Sequence, residues 1–304
     1  MDGLVGSRIV ELLSDKHGFE NLSISTGLDI TDRKAVLQRI KNSKAQIVLH
    51  LAAKTNVDAC ELDKSLGEKG DAWRINVEGT QNVADACLQS NKKLIYVSTD
   101  FVFDGTPKSA YLASEASTLA PARGASTGQA KEYTEDDVPN PINWYGQTKY
   151  EGEKVVQRAS CPWLIARIAY PYRANFGKLD FARGILKRLQ MGEEVKGITD
   201  HIFTPTFIDD IALAIDTLIK NNSQGIFHVV GSQSLTPFDA SVLIAKIFNL
   251  DQNLITKITR AEFFKDRAPR PFQLVLKNDK IEKLGLKMRT FEEGLNKVRS
   301  QMSS

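Results

Sequence analysis

Clustered metal-binding or disulfide-forming residues are missing from this 304-residue chain. Its three cysteines, Cys60, Cys87 and Cys161, lie far apart with no C-x-x-C pair. That excludes a disulfide scaffold and suits a reducing compartment, with the thiols as small buried residues. The four histidines, His17, His50, His201 and His228, are equally scattered, so no metal-ligand spacing exists and no metal is expected. No apolar run reaches the length of a membrane span, and no charged segment followed by an apolar core opens the chain. Neither membrane nor export is implied, and the cytoplasm is the expected location. Lys and Arg form no long block and the net charge is only +3, which argues against a nucleic-acid partner. What is left is an ordinary globular composition, 42% hydrophobic and 25% charged, long enough for one α/β domain with a smaller companion.

Along the chain, short apolar runs alternate with helical patterns. "AQIVLHLAA" (45–53), "KLIYVST" (93–99) and "CPWLIARIAY" (161–170) are continuous apolar runs of the kind found in parallel strands buried on both faces, and "ENLSIST" (20–26) is a weaker candidate strand. Residues 71–90 and 143–157 carry helical spacing between them. This rhythm predicts a Rossmann-type doubly wound parallel sheet. Further helices are predicted over 181–192, 207–222, 234–250 and 290–302, and a strand over 225–231. In 234–250, Thr236 is placed to cap the helix ahead of Pro237 at its first position. Residues 113–141 are small, polar and proline-bearing, and read as a long surface loop.

The chemistry concentrates in two places. Tyr145 and Lys149 are four apart and share one helix face. An ammonium beside a phenol favours the phenolate and lowers its pKa, which suits a proton donor. Spacing alone says little, since Tyr150 and Lys154 repeat it. The first pair stands out because "KLIYVSTD" sets Ser98 and Thr99 at the carboxyl end of an apolar strand, where open α/β sheets bind ligands. A hydroxyl there could hold a carbonyl oxygen while a tyrosine protonates it.

Six segments in order extend this picture: "LDITD" (28–32), "HLAAKTNVDACELD" (50–63), "INVEGTQNVADAC" (75–87), "STDFVFDG" (98–105), "YGQTKYEGE" (145–153) and "RAPRPFQLVLKNDKI" (267–281). Together the chain resembles an extended short-chain dehydrogenase/reductase, and within that superfamily the dTDP-4-dehydrorhamnose reductase family. The last segment departs from the family pattern at Lys277, where Asp is usual. The resemblance implies Thr99, Tyr145 and Lys149 as the catalytic group, with Tyr145 donating the proton, Lys149 lowering its pKa and holding the nicotinamide ribose, and Thr99 binding the keto oxygen. It implies Gly3, Gly6, Asp29, Ile30, Leu51, Ala52, Ala53, Thr55 and Ser98, with Tyr145 and Lys149, along the cofactor. Asp100, Phe101, Val102, Thr206 and Arg270 would face the substrate, and Asn76 would either brace the sheet or relay protons. NADPH is the implied cofactor and NADH remains open, because "SISTG" offers neither an acid nor a cation to the ribose.

The expected activity is reduction of the C4 ketone of dTDP-4-dehydro-L-rhamnose to dTDP-L-rhamnose. Two alternatives stand beside it: a reductase or epimerase of another nucleotide-linked 4-keto sugar, and a non-catalytic, NADP-binding regulatory subunit resembling that of methionine adenosyltransferase. The sequence leaves a homodimer open. The cofactor domain is expected over 1–165 with 225–231, and the substrate lobe over 166–224 and 232–304. At the start, "MDGLVGSRIVELL" gives Gly3 and Gly6 and the helix of a phosphate-binding turn but not the strand such a turn ends. The reading therefore expects an N-terminally truncated copy lacking its first strand. That loss would forfeit about five buried apolar side chains at roughly 1.5–3 kcal/mol each.

Overall fold

The continuous apolar runs become parallel strands. In the computed structural model, which describes residues 2–106 and 132–303, β1 (Ile47–His50), β2 (Lys93–Thr99), β3 (Trp163–Ile168) and β4 (Gly225–His228) form one sheet in that spatial order. Leu49 lies opposite Ile95, Ile95 opposite Leu164, and Leu164 opposite Gly225. Every residue of β2 is buried, as expected of a strand covered on both faces.

Among the described residues nine principal helices cover those faces or build a second core: α1 (Leu4–Leu13), α2 (Arg33–Asn42), α3 (Val57–Asp63), α4 (Gly79–Gln89), α5 (Trp144–Arg158), α6 (Phe181–Gln190), α7 (Ile208–Lys220), α8 (Pro237–Phe248) and α9 (Phe291–Met302). On one face Ile9 and Leu13 of α1 and Ile211, Ile215 and Leu218 of α7 pack on Ile95, Leu164 and Phe227. On the other, Val36, Ile40, Val83 and Val156 pack on Leu94, Tyr96 and Ile165. The strands thus send alternate side chains to opposite layers. A second core, with Tyr172, Leu186, Phe203, Phe207, Ile244 and Phe291, joins α6, α8 and α9. There Thr236 caps α8 by accepting the Asp239 N–H at 3.1 Å, ahead of Pro237.

The structure corrects three sequence expectations. Residues 20–26 form no strand: Ile24–Thr26 is a 3₁₀ turn, closed by reciprocal bonds between Ser23 and Thr26 and by Gly27 at φ 79°. A weak apolar run becomes a strand only with a partner, and among the described residues none pairs with the outer edge of β1. Next, the helix expected over 207–222 in the substrate lobe is α7, which packs on α1 and the sheet. Its apolar face supplies the layer that the sheet requires. Finally, the helix expected over 71–90 is interrupted by a π-helical stretch at Arg74–Glu78. Of the expected loop 113–141, the part up to 131 lies outside the described residues. After it, Glu132–Tyr133 pairs with Val275–Leu276. Among the described residues no helix is long and apolar enough to cross a membrane, and no group of acids, histidines and cysteines could hold a metal.

Candidate active site

β2 ends at the site. Thr99, its last residue, caps the 3₁₀ turn Asp100–Val102 by accepting the Phe101 N–H at 3.3 Å. The Thr99 hydroxyl in turn donates to Asp100 Oδ1 at 2.9 Å. Asp100 is 2% exposed, and its Oδ2 has no partner among the described residues; the buried Ser98 hydroxyl is in the same position. Burial pushes the Asp100 carboxyl up to about 7, against the pull of its bond with Thr99.

Helix α5 brings the second half. Asn143 caps it by accepting the Gly146 N–H at 2.8 Å, and its own amide donates to the Pro269 carbonyl at 2.9 Å. Gly146 is where α5 meets the turn after β2: a Cβ there would lie 2.2 Å from the Phe101 carbonyl oxygen. Only glycine lets the helix approach that closely. Tyr145 is thereby set beside Thr99, its ring edge-on to Phe101 at 5.7 Å between centroids. Lys149, one turn on, is buried, donates to the Val97 carbonyl at 2.8 Å and lies 4.0 Å from the Tyr96 ring centroid.

The ammonium is therefore engaged with β2. The expected lowering of the tyrosine pKa is not found: burial pushes the Tyr145 phenol above its ordinary value, against the pull of the Thr99 hydroxyl. Lys149 itself is pushed down to about 7 by burial, with Glu153 opposing.

A cavity of about 830 Å³ runs along β1, with Gly3 and Gly6 of α1, Asp29 and Ile30, and Leu51 to Ala53 in its wall. Its deeper part is apolar and is lined by Ile9, Leu13, Val36 and Ile40. Among the described residues Gly3 caps α1 without any side-chain bond, and Asp2, Gly3 and Gly6 at the start of that helix lie in the cavity wall. The Asp29 carboxylate is exposed and accepts both the N–H and the hydroxyl of Thr31 at 2.8 Å. Thr55 is exposed and, like Ser98, Tyr145 and Lys149, lies outside the cavity wall.

The sequence profile of the family described as RmlD substrate binding domain matches residues 1–304. The chain belongs to that family. The dTDP-4-dehydrorhamnose reductase of Aggregatibacter actinomycetemcomitans is 28% identical over 312 residues, covering 98% of this chain and 96% of the relative. Methionine adenosyltransferase 2 subunit beta of Xenopus laevis is 28% identical over 280 residues, covering 89% and 75%. Among solved structures, that of dTDP-4-dehydrorhamnose reductase from Bacillus anthracis in complex with NADP matches with a TM-score of 0.83 at 28% identity, covering 99% of this chain and 96% of that one.

In this RmlD-family chain the remaining expected site residues divide by what they touch. Asn76, in the π-helical stretch, accepts the Lys54 N–H at 2.8 Å and donates to the Lys54 carbonyl at 3.1 Å and to Thr148 Oγ1 at 2.9 Å. It braces the segment after β1 against α5. Arg270 donates to Asp58 at 2.9 Å and to the Ala268 carbonyl at 2.7 Å, tying the C-terminal segment to α3. Thr206 accepts the Gly231 N–H at 3.3 Å and is fully buried. Phe101 and Val102 pack in the core around Tyr145.

One residue escaped the sequence reading. Tyr170 sits just past β3 at φ 39°, in the left-handed region that aromatic residues rarely adopt. It is half-buried between Phe101 and Phe203, its hydroxyl 3.4 Å from His201 Nε2. The rule that pointed to Thr99, a polar group at a strand's carboxyl end, points equally to Tyr170 when applied to the next strand.

Proposed function

We propose that this chain is an NADPH-dependent oxidoreductase of nucleotide sugars that reduces the C4 ketone of dTDP-4-dehydro-L-rhamnose to dTDP-L-rhamnose, with Tyr145 as proton donor. The observation that carries the reading is that Thr99 at the carboxyl end of β2, Tyr145 beside it and Lys149 on the Val97 carbonyl are all buried at one end of the sheet. The names of the reductase relatives and the NADP complex of the Bacillus anthracis structure support it.

The residues present fit a dinucleotide. The open N-terminal turn of α1 at Gly3 and Gly6 would receive the pyrophosphate. Asp29 and Ile30 would flank the adenine side, Leu51 to Ala53 and Thr55 the middle, and Ser98, Tyr145 and Lys149 the nicotinamide ribose. When bound, NADPH supplies the hydride. Thr99 and Tyr145 hold the ketone oxygen; Tyr145 passes its phenolic proton to that oxygen as charge develops there; Lys149 stabilises the phenolate left behind. The buried position of the cluster limits the water that could compete for that proton.

Mixing purified protein with dTDP-4-dehydrorhamnose and NADPH tests the reading through loss of reduced-nicotinamide absorbance. No loss, or a Tyr145→Phe variant indistinguishable from wild type, defeats it. A second reading, a non-catalytic NADP-binding subunit, is favoured by the similarity to methionine adenosyltransferase 2 subunit beta. Tight NADPH binding without turnover of any nucleotide-linked keto sugar would select it.

A further inference from the structure

Thr99 has one hydroxyl hydrogen, and in this structure that hydrogen is committed. Oγ1 donates it to Asp100 Oδ1 at 2.9 Å while accepting the Phe101 N–H at 3.3 Å. A hydroxyl bonded in this way offers an incoming ketone only a lone pair, which a carbonyl oxygen cannot use. Holding the ketone oxygen requires the Thr99–Asp100 bond to run in the opposite sense.

The carboxyl that must reverse it is placed to do so. Asp100 is 2% exposed, forms no ion pair among the described residues, and keeps Oδ2 buried without a partner. The groups facing it are largely neutral or engaged elsewhere. Tyr145 of α5 and Tyr170 beyond β3 are phenols pushed above their ordinary range by burial, with the Asp100 charge adding to the shift. Cys60 of α3, next to Tyr145, is a thiol pushed up to about 11 by burial. Arg270, which acts on Tyr170, is paired with Asp58, and Lys149 is turned to Val97.

We infer that Asp100 is a positioning residue that sets the direction of the Thr99 hydroxyl. When protonated it donates to Thr99 Oγ1, which then accepts twice, from Asp100 and from the Phe101 N–H, and has its hydrogen free for the ketone oxygen. When ionised it takes that hydrogen back and turns a lone pair toward the substrate. No bond other than these hydrogen bonds changes. The inference rests on the role of Thr99 proposed above. The rise of the Asp100 carboxyl to about 7 puts the change of direction near neutral pH.

Two measurements separate failure of this inference from failure of the functional reading. The first is the pH profile of kcat from about pH 5.5 to 9, each protein normalised to its own maximum. Wild type should fall about tenfold per pH unit above the Asp100 transition. Asp100→Asn should show no such limb, because a side-chain amide donates to Thr99 at every pH. A limb unchanged in Asp100→Asn belongs to Lys149, whose pKa lies in the same range, and overturns the inference while leaving the reductase standing.

The second needs neither turnover nor the Asp100→Asn variant: infrared difference titration of the ¹³C-labelled aspartate carboxyls in the free protein. A carboxyl that titrates near 7 and shifts upward in Thr99→Val, which has lost the hydroxyl that favours the carboxylate, supports the coupling. Titration of Asp100 below pH 5, or a midpoint indifferent to Thr99→Val, overturns it. Absence of turnover with a positive infrared result defeats only the functional reading.

Discussion

At the scale of single residues, Tyr145 and Lys149 show how much a four-residue spacing says. It sets two side chains on one face of α5 but leaves open where a four-carbon stem delivers its charge. The ammonium lies on the Val97 carbonyl and the Tyr96 ring, partners supplied by a strand some fifty positions earlier in the chain. Burial holds the Tyr145 phenol above its ordinary value, so the donor role proposed for it would rest on position rather than on a lowered pKa. Tyr145→Phe should lower kcat by about 10²- to 10⁴-fold, while NADPH binding, followed by nicotinamide fluorescence, changes far less. Equal losses in both would mean that the hydroxyl serves binding and not proton transfer.

At the scale of elements, the order of contacts explains what the sequence could and could not disclose. β2 and β3 were legible because burial on both faces leaves an uninterrupted apolar run, and α8 because Thr236 and Pro237 mark its start locally. Whether 20–26 becomes a strand depends on a neighbour, which a local pattern does not contain. The placement of α7 was missed because its apolar stripe would serve either lobe equally well.

Nor did spacing indicate the ion pair that joins α5 to β3. Glu153 and Arg167 form a two-pronged contact at 2.9 and 2.7 Å, both side chains at most 1% exposed, with Phe103 beneath the guanidinium at 5.0 Å. Removing one partner strands a buried charge. Glu153→Ala should cost about 3–5 kcal/mol in urea denaturation, and a loss under 1 kcal/mol would show that water reaches Arg167 when its partner is gone.

For the whole molecule, the acid side of the stability curve is set by histidines that the fold keeps neutral. Burial pushes His50 and His228 down to about 3 and His201 down to about 4. The unfolded chain takes up these protons near pH 6.5, whereas the folded chain resists them until the pH is much lower. The stability they protect is thus intact above pH 6.5 and lost as pH falls toward 4, at about 1.4 kcal/mol per pH unit for each fully withheld proton. Asp100, held protonated up to about 7, works in the opposite sense above its ordinary carboxylate range and offsets one of the three. Urea midpoints measured between pH 7 and 5 should fall steeply below pH 6.5, and a flat profile would mean that these imidazoles are already solvated in the native state.

The open flank of β1 carries a consequence of another kind. Its inner half is tied to β2, while the peptide groups on its outer side have no strand beside them among the described residues. β2, by contrast, is held in ladders on both sides. Placed in deuterated solvent, the sheet should therefore read as a gradient rather than a block. The outward amides of β1 should exchange through small local openings, and those of β2 only when the whole protein unfolds.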